Sequence, residues 1–283
     1  MNNKKDIIKF STIYIIWMLI ALPVALMAKL VGFNLDNNLT YAILEFIVSM
    51  IIFILVIYSY RKDIWKDMKK LSNDKNIFSR ALVLTIGAFL VELLAATLVS
   101  VLFNLFGLDI SGSNNNKLAQ ELLLSAPVLM GIGAVILGPI YEELIMRLGL
   151  KKCFKNKKVF FAVSGIIFGI MHVVDNLVII LSLPIIAIIV DKLLESNNKN
   201  KKLLSTASVI LYLFIMIVYL TITSGGITNL ISSINISESI YLIEYIVMGL
   251  YFTKAYLEFD NIWYSIIPHI MINLLATLFL YFG

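Results

Sequence analysis

The sequence predicts an all-α membrane protein, a polytopic helical bundle of eight or nine transmembrane helices. Apolar residues make up 60% of the 283 residues and charged ones 14%, against about 45–50% and about 25% in a soluble domain. One globular core cannot hide that much apolar surface, so lipid must serve as solvent for much of it. The apolar residues also fall into runs near the length of about 20 that crosses a bilayer, and the charges gather between the runs.

The runs cover 10–28, 41–60, 81–106, 122–150, 159–174, 177–190, 203–223, 240–252 and 262–282. Three of them (159–174, 177–190 and 240–252) are short, and one of these is re-entrant or merged with a neighbour if the number of spans is eight. With the N-terminus in the cytoplasm, twenty-one of the 23 Lys and Arg fall on the inner side, leaving Lys29 and Lys117 outside. Such a bias is the positive-inside signature, and a single wrong span would scramble it. The 224–239 loop has two Gly and no Lys and suits the outside. Lys4 and Lys5 precede a run that is long and lacks a clean small-residue cleavage site, so it reads as an uncleaved first span rather than a signal peptide. The lysine-rich stretch 61–80 reads as a solvated loop at the membrane face. The net charge of +5 is a topology signal here and not a nucleic-acid one. A soluble enzyme, a disordered tail and a collagen-like chain are excluded by composition, and a disulfide within the chain by its single cysteine, Cys153. There is no phosphate-cradling glycine motif and no internal repeat.

Charged groups inside apolar spans are costly, so each marks a candidate site. Glu142 and Glu143 diverge by about 100° on a helix. Glu143 shares a face with Arg147, which can hold its carboxylate ionised. Glu142 is then free to face a cavity, and two carboxylates in unlike surroundings can split into a working base and a structural acid. Pro139 lies one turn earlier and can kink the span. Phe168 and His172, four apart, stack on one face, with Asp175 or Asn176 placed to orient the imidazole. His269 and Asn273 also share a face and can donate toward one point, as an oxyanion pocket requires. From the lysine-rich side Glu142 lies about 13 Å deep and His172 about 20 Å at 1.5 Å per residue. Together they supply a base, a partner imidazole and two anion donors, enough to hydrolyse a peptide bond with activated water. Glu45, Glu92 and Glu244 read as paired across helices or snorkelling. Ser164 reads as a small packing residue, although Ser164-Gly165 resembles part of a serine-protease motif.

The ordered motifs Glu142-Glu143-x-x-x-Arg147, Phe168-x-x-x-His172 and His269-x-x-x-Asn273 resemble those of the CPBP family, the type II CAAX-prenyl-endopeptidase-like, Abi and bacteriocin-processing proteins. The run from Gly249 through Tyr256, Asn261, Trp263 and Ile267 to His269 resembles that family's last motif region. The resemblance covers about 120–283, leaving 1–120 as N-terminal spans without motif content and 121–283 as a protease-like core within one membrane domain. It implies an intramembrane endopeptidase acting near the cytoplasmic face. Glu142 would be general base with His172, His269 and Asn273 would bind the oxyanion, and Glu143, Arg147 and Phe168 would support them. Met146 and Leu148 depart from the Phe and Gly common at those positions, which bears on packing beside the site. No cofactor is expected. If a metal were present, zinc on Glu142, His172 and His269 would be the choice by residue type, but there is no HExxH motif.

The Lys-, Ile- and Asn-rich composition suggests a bacterial plasma membrane. The expected partners are the lipid bilayer and a peptide or membrane-protein substrate, such as a pheromone or bacteriocin precursor, with no nucleic acid. The alternative is a non-catalytic scaffold or self-immunity protein of the same fold. A transporter would need repeated halves, which the sequence lacks.

Overall fold

Apolar residues propagate helix until a breaker or a polar cap intervenes, and these punctuation points set the architecture. The structure is a computed structural model describing residues 4–108, 113–174, 176–194, 199–226, 229 and 236–282. Its described elements are helical, with no strand among them. The first apolar run becomes α1 (Lys4–Leu19) and α2 (Ala21–Leu30). The second becomes α3 (Asn38–Ser72), capped by the Asn37 side chain, which accepts from Thr40 N. α4 (Ile77–Phe106) ends on Gly107 in the left-handed region, φ +64°. A short polar helix, α5 (Asn114–Ser125), precedes the motif-bearing span.

That span, residues 127–149, is irregular: α6 (Pro127–Ile132), a π turn π1 (Gly133–Leu137), α7 (Gly138–Glu143) and a second π turn π2 (Leu144–Gly149). The kink expected at Pro139 takes this form. Proline has no N–H for the ordinary bond to residue 135. The ladder slips by one, and Gly138 N–H donates to Gly133 O, five residues back. π turns of this kind are frequent at functional sites.

The remaining helices are α8 (Lys157–Val173), α9 (Leu177–Leu194), α10 (Lys199–Thr223), α11 (Ile236–Phe259) and α12 (Trp263–Phe282). Among the described residues, eight helical segments are long and apolar enough to cross a membrane. α8 has 17 residues and falls just short of that length, yet it carries His172. With α10 exposing Leu203, Ile210, Phe214 and Ile222, the outer faces demand lipid, and the chain is a multi-pass membrane protein.

Two expectations need correction. The stretch 61–80 is not a loop. α3 runs on to Ser72, because Lys, Arg, Asp, Met and Leu sustain helix, and only the turn at 73–76 separates it from α4. The extension packs: Asp67 is buried, its carboxylate accepts from Ile262 N at 3.0 Å, and its carbonyl accepts from Asn261 Nδ2 at 2.9 Å. The run 240–252 is not short either, since α11 spans 24 residues. Most of the 224–239 loop and Asp175 lie outside the described residues.

α8 and α11 form the most extensive helix pair. Gly165 and Gly169, a small-x-x-x-small pair on α8, meet α11. A Cβ on Gly249 of α11 would lie 2.8 Å from Phe168 Cβ and 3.1 Å from Gly165 Cα. Ser164 is buried, donates to Met146 O at 3.3 Å and accepts from Thr253 Oγ1 at 3.1 Å. It bridges helices as a packing residue and does not line the cavity described next.

Candidate active site

Glu142 and Glu143 end α7, between the two π turns. Their directions diverge as the helical period requires. Glu143 is fully buried, with Oε2 3.1 Å from Arg147 Nε and Oε1 3.0 Å from His269 Nδ1. The Arg147 contact is a charge contact rather than an aligned hydrogen bond, since neither Nε nor Oε2 has a hydrogen-bond partner. Arg147 also donates from Nη2 to Gly249 O at 3.1 Å and lies 4.8 Å over the Phe168 ring. Glu142 instead faces a cavity of about 490 Å³, which His172, His269 and Asn273 also line.

Both imidazoles turn Nε2 toward Glu142 Oε2, at 4.0 Å for His172 and 3.9 Å for His269. These gaps are too long for direct hydrogen bonds and leave room for one oxygen atom between the groups. His172 Nδ1 lies 2.7 Å from Phe168 O. A carbonyl only accepts, so Nδ1 carries a proton and neutral His172 offers a bare Nε2 lone pair. His269 Nδ1 likewise donates to the Glu143 carboxylate. Rings fix both orientations. His172 stacks on Tyr245 (4.7 Å, 17° between planes) and leans on Phe168 (4.4 Å), while His269 stacks on Phe252 (4.5 Å, 16°).

Asn273 sits at the cavity wall, but one N–H of its amide donates to Ala134 O in π1 at 2.9 Å. That bond ties α12 to the slipped turn and leaves the second amide N–H for the cavity. Asn176 does not orient His172. It caps α9, accepting from Val178 N and Ile179 N at 3.1 and 3.2 Å. The Phe168 carbonyl fills the orienting role. Glu45, Glu92 and Glu244 line the same cavity; Glu92 of α4 and Glu244 of α11 face each other across the two helices, and Glu45 is beside Tyr41. Sequence reasoning missed the Glu143–His269 bond and the two ring platforms. The platforms had a signal, since Tyr245, Gly249 and Phe252 fall at helical spacing on one face of α11.

The donor types suit zinc, and each Nδ1 has the kind of hydrogen-bond partner that ligating histidines have. The spacing does not. Zinc bonds of about 2.0–2.2 Å at tetrahedral angles set donors about 3.4 Å apart, against 3.9 and 4.0 Å here. Among the described residues no group of three His, Cys, Asp or Glu side chains is placed to hold a metal ion.

A family model described as type II CAAX prenyl endopeptidase Rce1-like matches residues 124–275. The chain belongs to the Rce1-like family. The match contains every site residue named above from Glu142 to Asn273, together with both π turns. Among curated relatives, UPF0177 protein YajF of Lactococcus lactis subsp. lactis (strain IL1403) is 26% identical over 155 residues, 54% of this chain and 72% of that protein. UPF0177 protein YaiH of the same strain is 26% identical over 188 residues, 65% of this chain and 77% of that protein. No solved structure matches the chain. This Rce1-like protein is thus a CAAX-protease-like membrane protein in which Glu142 and both histidines line one cavity, with Glu143 buried behind them.

Proposed function

We propose that the protein is an intramembrane endopeptidase of a bacterial plasma membrane, its N-terminus cytoplasmic, that hydrolyses a peptide bond with water activated by Glu142. The observation that carries this reading is the convergence of two oriented Nε2 atoms on Glu142 Oε2, at 3.9 and 4.0 Å, at a cavity wall. A water held there donates one proton to Glu142 and lies against His172. As its oxygen attacks the substrate carbonyl, Glu142 takes the proton. Charge develops on the carbonyl oxygen, where the second amide N–H of Asn273 and a protonated His269 Nε2 can donate. The Glu143 carboxylate, 3.0 Å from Nδ1, holds the ring with Nε2 turned into the cavity. Collapse of the tetrahedral intermediate breaks the C–N bond, and Glu142 returns its proton to the leaving amine. No metal takes part in this scheme.

The test is cleavage of membrane-associated leader peptides by the purified protein in liposomes. Positioned acid–base catalysis contributes about 10²–10⁴-fold, so Glu142→Ala is expected to lose at least that much while keeping its thermal unfolding profile. EDTA is expected to leave the rate unchanged. Retained cleavage in Glu142→Ala overturns the assigned base, and loss with EDTA restored by zinc overturns the metal-free scheme.

A further inference from the structure

The two ends of the cavity differ. Its deep end is formed by Glu142, Phe168, Phe252 and His269. Between that end and the lysine-rich loops lies the main apolar core, where Tyr60, Leu150, Phe154, Phe160 and Ile262 are 0–2% exposed. The clamp of Asp67 on Asn261 and Ile262 closes the same end. In the opposite direction the lining continues to Gln120 of α5 and to Ala276, Thr277 and Leu280 of α12. Gln120 and Ala276 are exposed. Leu280 lies eleven residues beyond His269, about 16 Å along the helix. α5 is a polar, non-spanning helix on the lysine-poor side, and it lines the mouth with Asn116 and Gln120 beside Ala119 and Leu123.

We infer that substrate reaches Glu142 from the lysine-poor end of the bundle, which the positive-inside rule places outside the cytoplasm. This deepens the endopeptidase reading and rests on it for the identity of the occupant. The substrate class it selects is a peptide segment that is exported or sits in the outer half of the bilayer. The C-terminus of a cytoplasmic protein would meet the packed core instead.

Single cysteines test the route without relying on activity. Gln120→Cys marks the mouth, Thr277→Cys the wall and Lys158→Cys the lysine-rich end. The resident Cys153 is buried, and burial pushes its thiol up to about 12, so the parent protein gives a silent background. A membrane-impermeant maleimide is applied to intact cells and to inside-out vesicles. Gln120→Cys and Thr277→Cys are expected to react in intact cells and Lys158→Cys only in inside-out vesicles, with labelling of Thr277→Cys abolishing cleavage of a leader peptide. Reaction of the two cavity cysteines only from the side that labels Lys158→Cys, or from neither side, overturns the inference. Labelling from the lysine-poor side by a protein that cleaves nothing supports the route and overturns the endopeptidase reading.

Discussion

Neighbouring residues of one chemical type can be given opposite duties by the angle between them. Glu143 is sealed against Arg147 and His269, whereas Glu142 keeps 17% of its side chain open to the cavity. Removing one member of a buried ion pair strands the other and costs about 3–5 kcal/mol. Glu143→Gln is therefore expected to lower the thermal midpoint in detergent strongly, and Glu143→Gln with Arg147→Met to recover part of that loss. Glu142→Gln is expected to leave the midpoint nearly unchanged while abolishing cleavage. Equal destabilisation by Glu142→Gln and Glu143→Gln would contradict this division. The division was legible in sequence, because the Glu143–Arg147 spacing is that of helical neighbours. The second partner of Glu143 was not: His269 is 126 residues away, and no local periodicity encodes such a meeting.

Elements position the site through close backbone approach. Gly165, Gly169 and Gly249 let α8 and α11 approach until a single Cβ would collide with the opposite helix. Phe168, which touches both histidines and Arg147, lies inside that seam. Overpacking of this kind costs about 1–3 kcal/mol. Gly249→Ala is expected to lose stability in that range and to reduce cleavage at least tenfold, because Phe168 must shift. Gly131→Ala is the control. It sits in a neighbouring helix with nothing within 4 Å of its added Cβ, and it is expected to unfold at or slightly above the parent midpoint. Thermal unfolding and peptide cleavage of the two variants side by side check the contrast. Hydropathy located these helices because it reports transfer from water. It could not locate the π turns, which answer to backbone bonding around Pro139, nor the end of α3, where charged but helix-favouring residues carry the helix beyond the apolar run.

At the scale of the whole molecule, the 1–120 and 121–283 parts share one core and one cavity: Phe10, Tyr14 and Val48 pack with Leu144 and Phe160, and Glu45 and Glu92 line the cavity with Glu142. The N-terminal spans carry no motif, so their contribution could not be read from sequence; it lies in closing the bundle around the site. The clearest case is the extension of α3 over the α11–α12 turn, where Asp67 accepts from Ile262 N and Lys70 pairs with Asp260 at 2.8 Å. The two contacts differ in worth. The Asp67 contact is buried, and its loss leaves an N–H without a partner, at a cost of about 1–3 kcal/mol. The side chains of the Lys70–Asp260 pair are 40% and 86% exposed, where an ion pair contributes about 0–1 kcal/mol. Asp67→Ala is thus expected to lower the unfolding midpoint clearly and Lys70→Ala hardly at all. Because α12 starts at this turn and presents His269 six residues later, about 9 Å along its axis, Asp67→Ala is also expected to slow cleavage. Such an effect from a residue on the lysine-rich face, far from the cavity mouth, would show that the extension of α3 holds α12 in register with Glu142. An unfolding midpoint for Asp67→Ala equal to that of Lys70→Ala would remove that role.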